Sequence, residues 1–141
     1  MSWLGEMEVV EAVRSYLETK GFKINRLVRN TTERGADIVA TSPSENVIIK
    51  IEAKGQTSSD KGSPRFGREF DKNQKEDHLG RALVKCLGYL DEGFGAGIAF
   101  PEDDYHKRLV DGIKKSLGTL GLLVFFLSKN SGVSVIGDLP L

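Results

Sequence analysis

The chain has 141 residues, 39% of them hydrophobic and 28% charged, with twenty Lys/Arg against twenty Asp/Glu and therefore zero formal net charge. These values fit one globular α/β domain spanning 1–141, large enough to bury roughly two-thirds of its unfolded surface. No run of about eighteen apolar residues exists, which excludes a helical membrane span, and no global basic charge advertises a nucleic-acid binder.

Along the chain, Leu4, Met7, Val10, Val13 and Leu17 recur at helical steps and predict a first helix over 6–19, ended at Gly21. The N-terminal MSWLGEMEVVEAV lacks the basic flank and apolar core of a secretory signal. FKINRLVRN reads as a strand; after the turn NTTERG, ADIVAT and VIIKIEAK form a hairpin across SPSEN. Residues 55–72, rich in Gly and Ser, read as a long loop, and loops of that length inside compact domains are usually functional.

NQKEDHLGRALVKCLGYLDE then carries an apolar stripe of Leu79, Ala82, Leu83, Cys86, Leu87 and Leu90, a second helix. Cys86 has no partner for a disulfide and is expected in the core, which suits a reducing cytoplasm. GAGIAFP predicts a buried strand and EDDYHKRLVDGIKKSLGTLG a third helix with Tyr105, Leu109, Ile113, Leu117 and Leu120 inward. LLVFFLSK predicts another buried strand, and VSVIG an edge strand. Acidic Glu102, Asp103 and Asp104 suit the positive end of the third helix, where His106 is expected to be structural or exposed. A meander of three strands followed by helix–strand alternation predicts a mixed central sheet with helices on both faces.

Charge is uneven along the chain. Residues 50–75 carry seven Lys/Arg against four Asp/Glu, and 91–111 carry two against six. The unusual stretch is IIKIEAKGQ: Glu52 and Lys54 lie two apart at the end of an apolar strand, so both project to one face while Ile51 and Ala53 face the other. Burying such ions costs several kcal/mol each unless they are paired or bound to a metal. The hairpin brings Asp37 of GADIVA alongside Glu52, and two carboxylates at one sheet edge repel unless a cation or proton lies between them. A hard cation such as Mg²⁺ is the natural occupant. The plain alternative is a Glu–Lys pair on an exposed edge strand, with Asp37 capping a turn.

Gly35-Ala36-Asp37, followed fifteen residues on by Glu52-Ala53-Lys54, resembles the G-x-D…E-x-K signature of the restriction-endonuclease-like PD-(D/E)xK superfamily. The order αβββαβ over residues 4–128 resembles its core, to which a C-terminal helix and strand are added. IEAKG, the Gly/Ser-rich loop, RFG and a helix beginning near NQ resemble a branch of bacterial and archaeal proteins of this type. The resemblance implies Mg²⁺, with Mn²⁺ as an alternative, held by Asp37, Glu52 and the Ala53 carbonyl. It further implies Lys54 at the attacking water, DNA as substrate, and pairing into a homodimer to cut both strands.

The family often adds a glutamate from the first helix. Glu6, Glu8 and Glu11 are the candidates, and helical phase favours Glu6, four before Val10 and seven before Val13. Gln74, His78, Arg81 and Lys85 form a polar stripe on the second helix, and Gln74 resembles the family's fourth motif. In the loop, Lys61, Arg65 and Arg68 interleave with Phe66 and Phe70, a pattern suited to phosphates and bases. Removing the crowded carboxylates is expected to leave the fold standing. A non-catalytic binding module on the same fold is the rival expectation.

Overall fold

The computed structural model describes residues 5–27, 35–55, 71–130 and 132–141. Leu4, Val28, most of the first turn and loop residues 56–70, including Lys61, Arg65, Phe66, Arg68 and Phe70, lie outside the described residues.

Among the described residues ten elements follow one another: α1 (Glu6–Thr19), β1 (Lys23–Leu27), β2 (Ile38–Thr41), β3 (Ile48–Ala53), α2 (Lys72–Asp91), β4 (Gly95–Pro101), α3 (Asp104–Asp111), α4 (Lys114–Leu120), β5 (Leu123–Leu127) and β6 (Val133–Ile136). The strands build one mixed sheet in sequence order. β1, β2 and β3 are antiparallel, β3, β4 and β5 parallel, and β6 returns antiparallel on β5.

Strand alternation divides the interior into two layers. Ile49, Ile51, Ala53, Ala99, Leu123 and Phe125 meet Val9, Val10, Val13 and Leu17 of α1. From the opposite face Ala96, Ile98, Phe100, Val124 and Phe126 meet Leu79, Ala82 and Cys86 of α2, Val110 of α3 and Leu117 of α4. The α/β architecture with helices on both faces matches the sequence expectation.

Two local expectations are corrected. The third helix is two helices, because Gly112 caps α3 and Ile113, at φ −127 and ψ 12, leaves the helical path before α4. Leu120 is exposed, since the break rotates the last turn of α4 out of the stripe that Tyr105 and Leu109 began, and Leu87 is exposed on α2. Of the two places expected for His106, the structure gives the structural one: it is buried and stacks on Phe100 with ring centroids 4.7 Å apart.

Candidate functional site

β3 lies between β2 and β4, so the plain alternative of an exposed edge strand does not hold: Glu52 is 1% exposed. Its carboxylate accepts from the Tyr89 hydroxyl at 2.6 Å and lies 3.5 Å from Lys85 Nζ, both on α2. Lys50, on the same face of β3, places its ammonium 5.3 Å from the Tyr89 ring centroid and 4.0 Å from that of Phe94. Burial, then the bond to Glu52 and its charge, push the Tyr89 phenol well above its ordinary range. Tyr89 therefore stays a neutral donor.

Asp37 is clamped to the two residues that flank Glu52. Its backbone N–H donates to the Ile51 carbonyl at 3.0 Å, and its Oδ2 accepts from the Ala53 N–H at 2.7 Å. A residue in an extended strand sends N–H and C=O to the same side, so the Ala53 carbonyl is directed to the edge that Asp37 occupies. The turn that delivers Asp37 needs its glycine: Gly35 sits at φ +95, a left-handed conformation that side chains disfavour.

Glu6 opens α1, and its position depends on Gly55. The space a Gly55 side chain would take is filled by the backbone of Gly5 and Glu6, so the end of β3 and the start of α1 touch main chain to main chain. Burial first, then the charge of Asp37 and, more weakly, of Glu52, raise the Glu6 carboxyl from 4.5 to about 7, with Lys54 and Lys85 opposing. Asp37 is raised from 3.8 to about 6 by burial and by Glu52, against the Ala53 hydrogen bond and the same two lysines. Glu6, Asp37, Glu52, Lys54 and Lys85 thus act on one another. The other two candidate glutamates of α1 are engaged elsewhere: Glu8 accepts from Gly5 N–H at 3.4 Å, and Glu11 pairs with Arg14.

His78, half-buried on α2, is lowered by burial and then by the charges of Lys54 and Arg81, which places it in the same field. Arg81 is exposed. The Gln74 side chain closes a capping box with Asp71: its Oε1 accepts from Asp71 N–H at 2.9 Å, while its own N–H donates to Asp71 Oδ1 at 2.8 Å. Cys86 packs behind the site, where its thiol donates to the Gly97 carbonyl and burial pushes it up to about 12. Tyr89 went unnoticed in the sequence, because a tyrosine thirty-seven residues from Glu52 gives no local signal.

The donor set is all oxygen, as a hard cation requires, and Mg²⁺ commonly takes one or two carboxylates with waters. Among the described residues no three His, Cys, Asp or Glu side chains close into a metal shell. The fit is to an ion held by Asp37 and Glu52 with water, not to a closed cage. A cleft of about 580 Å³ elsewhere, between α1 and residues Leu127, Ser128 and Val133, contains none of these groups.

The raised carboxyls fix a sign for pH dependence. With folded values above unfolded ones, the folded chain holds more protons between about pH 4 and 7, so their contribution is present below that window and lost as pH rises through it. The loss is on the order of 1–2 kcal/mol per group after solvent screening. Chemical unfolding from pH 4 to 8 in EDTA should show a shallower decline for Glu6→Gln than for wild type. Equal slopes would remove Glu6 from the cluster. His78 acts in the opposite direction in both proteins and cancels in the comparison.

No family model matches the chain, and no curated protein matches its sequence. Among solved structures, SfsA of Pyrococcus furiosus in complex with Ca²⁺ is similar over 92% of this chain, at 14% identity and a TM-score of 0.41. The match spans 59% of that longer chain. Among the described residues no helix is long and apolar enough to cross a membrane.

Proposed function

We propose that the chain is a Mg²⁺-dependent nuclease that hydrolyses a phosphodiester of DNA. The observation that carries this reading is the clamp of Asp37 onto Ile51 and Ala53, on either side of the buried Glu52. It concentrates acidic oxygens at a strand end where two of the carboxyls hold their protons unusually tightly, the behaviour expected of a site shaped for a cation. Asp37, Glu52 and the Ala53 carbonyl would hold the ion, with Glu6 nearby. The metal, when bound, lowers the pKa of its water and polarises the scissile phosphate. Lys54 and Lys85 supply fixed positive charge toward the phosphate, and Lys54 orients the attacking water. Tyr89 keeps the Glu52 carboxylate aimed.

A second reading is favoured by one feature. Glu52 already has Tyr89 and Lys85 as partners, so the fold satisfies its buried charge without a metal, as a binding module that kept the architecture would. A cleavage panel of linear, nicked, branched and single-stranded DNA with Mg²⁺ and Mn²⁺ separates the two. Products that depend on the divalent ion support the nuclease. An inert panel, with DNA still bound, supports the module.

A further inference from the structure

Beyond the carboxylates, the start of α2 and the start of α3 enclose a cleft of about 300 Å³ lined by Lys72, Lys75, Asp103, Asp104, Tyr105 and Arg108. Part of its lining is internal to the protein. Asp103 accepts from the His106 backbone N–H at 2.7 Å and lies 2.8 Å from His106 Nδ1 and 3.4 Å from Lys75 Nζ, and both Lys75 and His106 are buried. The rest faces outward. Lys72, Asp104 and Arg108 are exposed, and the two cations, which outnumber the one carboxylate, have no ion-pair partner among the described residues. The half-buried Tyr105 lines the same cleft, its ring centroid 5.9 Å from Lys72 Nζ.

A row of side chains on α2, its lysines and arginine cationic, connects the cleft to the carboxylates. Lys72, Lys75, His78, Arg81 and Lys85 follow one another at steps of three or four residues, so each is a helical neighbour of the next; Lys75 is turned inward to Asp103, and Lys85 reaches Glu52. Ten residues separate Lys75 from Lys85, about 15 Å along the helix axis. At about 3.4 Å per phosphate of a stacked strand, that is a span of about four nucleotides. An aromatic ring in a concave site too small for a duplex suits an unstacked base, and two cations without an ion-pair partner beside it suit a phosphate.

We propose that the α2–α3 cleft is a second subsite, which holds one unpaired nucleotide of a single-stranded substrate about four nucleotides from the carboxylates. The base lies on the Tyr105 ring and the phosphate between Lys72 and Arg108. This rests on the nucleic-acid reading of the carboxylate site and names its substrate: a strand that is unpaired on one side of the scissile bond.

Binding of a short labelled single strand and of a blunt duplex of the same sequence to the full chain in EDTA, followed by anisotropy, tests this without cleavage. Tyr105→Ala should weaken single-strand binding about five-fold or more and leave duplex binding within about two-fold, while Tyr105→Phe keeps both. Lys72→Ala with Arg108→Ala should lower the salt slope for the single strand by about one to two, and the control Lys115→Ala on α4 should not. The proposal is overturned if the wild type does not bind the single strand. It is likewise overturned if Tyr105→Ala binds as wild type, or if the duplex weakens equally. Loss of single-strand binding in Tyr105→Phe would overturn the stacking role. Divalent-dependent cleavage with unchanged Tyr105→Ala affinity refutes the subsite alone; Tyr105-dependent binding without any cleavage refutes the nuclease reading alone.

Discussion

Replacing Glu52 by glutamine should lower Mg²⁺-dependent cleavage about 10³-fold or more while the fold and its unfolding midpoint stay close to wild type. Glutamine keeps the shape of a side chain that is 1% exposed and still offers Tyr89 an oxygen, so the buried hydroxyl remains satisfied. What it removes is the negative charge, and several kcal/mol of transition-state stabilisation is the scale expected when a metal-binding carboxylate is neutralised. Alanine at this position is different. It leaves the Tyr89 hydroxyl without its partner and a cavity beneath α2, which should cost about 1–3 kcal/mol. The sequence expectation that the fold stands without these carboxylates is compatible with a cost of this size, and the isosteric variant avoids the cost. Steady-state cleavage and urea unfolding of Glu52→Gln check both halves; retained turnover would remove Glu52 from the chemistry.

Gly55→Ala should be the most disruptive single methyl at the site. An added Cβ would lie 2.4 Å from the Glu6 backbone nitrogen, 2.6 Å from the Gly5 carbonyl carbon and 2.9 Å from Gly5 Cα. All three atoms are main chain, so no rotamer change relieves the contact. The start of α1 must move away from β3 and carry Glu6 with it. A loss of about 2–3 kcal/mol in unfolding free energy is expected from overpacking of this kind, with cleavage reduced at least about ten-fold. Gly88→Ala on α2, where nothing lies within 4 Å, is the matched control and should stabilise by about 0.5–1 kcal/mol through helix propensity. Equal stability for Gly55→Ala and wild type would mean that α1 and β3 do not share this contact.

Much of the architecture was legible because burial imposes simple periods. The apolar steps in residues 6–19 define α1 and its buried face, and the β-branched run before Glu52 defines a strand enclosed on both sides. The phase that put Glu6 on the side of Val10 and Val13 also brings it to Asp37, whereas Glu8 and Glu11 find partners on α1 itself or at its cap. Long-range pairing left no such trace. Tyr89 meets Glu52, Lys85 reaches the same carboxylate, and Lys75 meets Asp103 only after α2 folds across the sheet. The Asp71–Gln74 capping box was hidden differently, since a glutamine at a helix start serves a cap or a ligand equally well. The break at Gly112 and Ile113 escaped the helical period because the apolar spacing continues across it.

Acid should act through a separate device. Although burial opposes it, hydrogen bonds from the His106 ring and backbone, with the charges of His106 and Lys75, hold Asp103 well below the usual carboxylate range. That contribution is present above about pH 4 and lost as pH falls further, the reverse of the behaviour of Glu6 and Asp37.

The most direct test of the carboxylate cluster is calorimetric titration of Mn²⁺ and Mg²⁺ into the wild type and into Asp37→Asn at pH 7.5. A divalent site built on Asp37 and Glu52 predicts saturable binding in the wild type, with release of a fraction of a proton because Glu6, raised to about 7, is partly protonated at this pH, and loss of binding in the variant. Absence of saturable binding in the wild type, or identical isotherms for the two proteins, would contradict it.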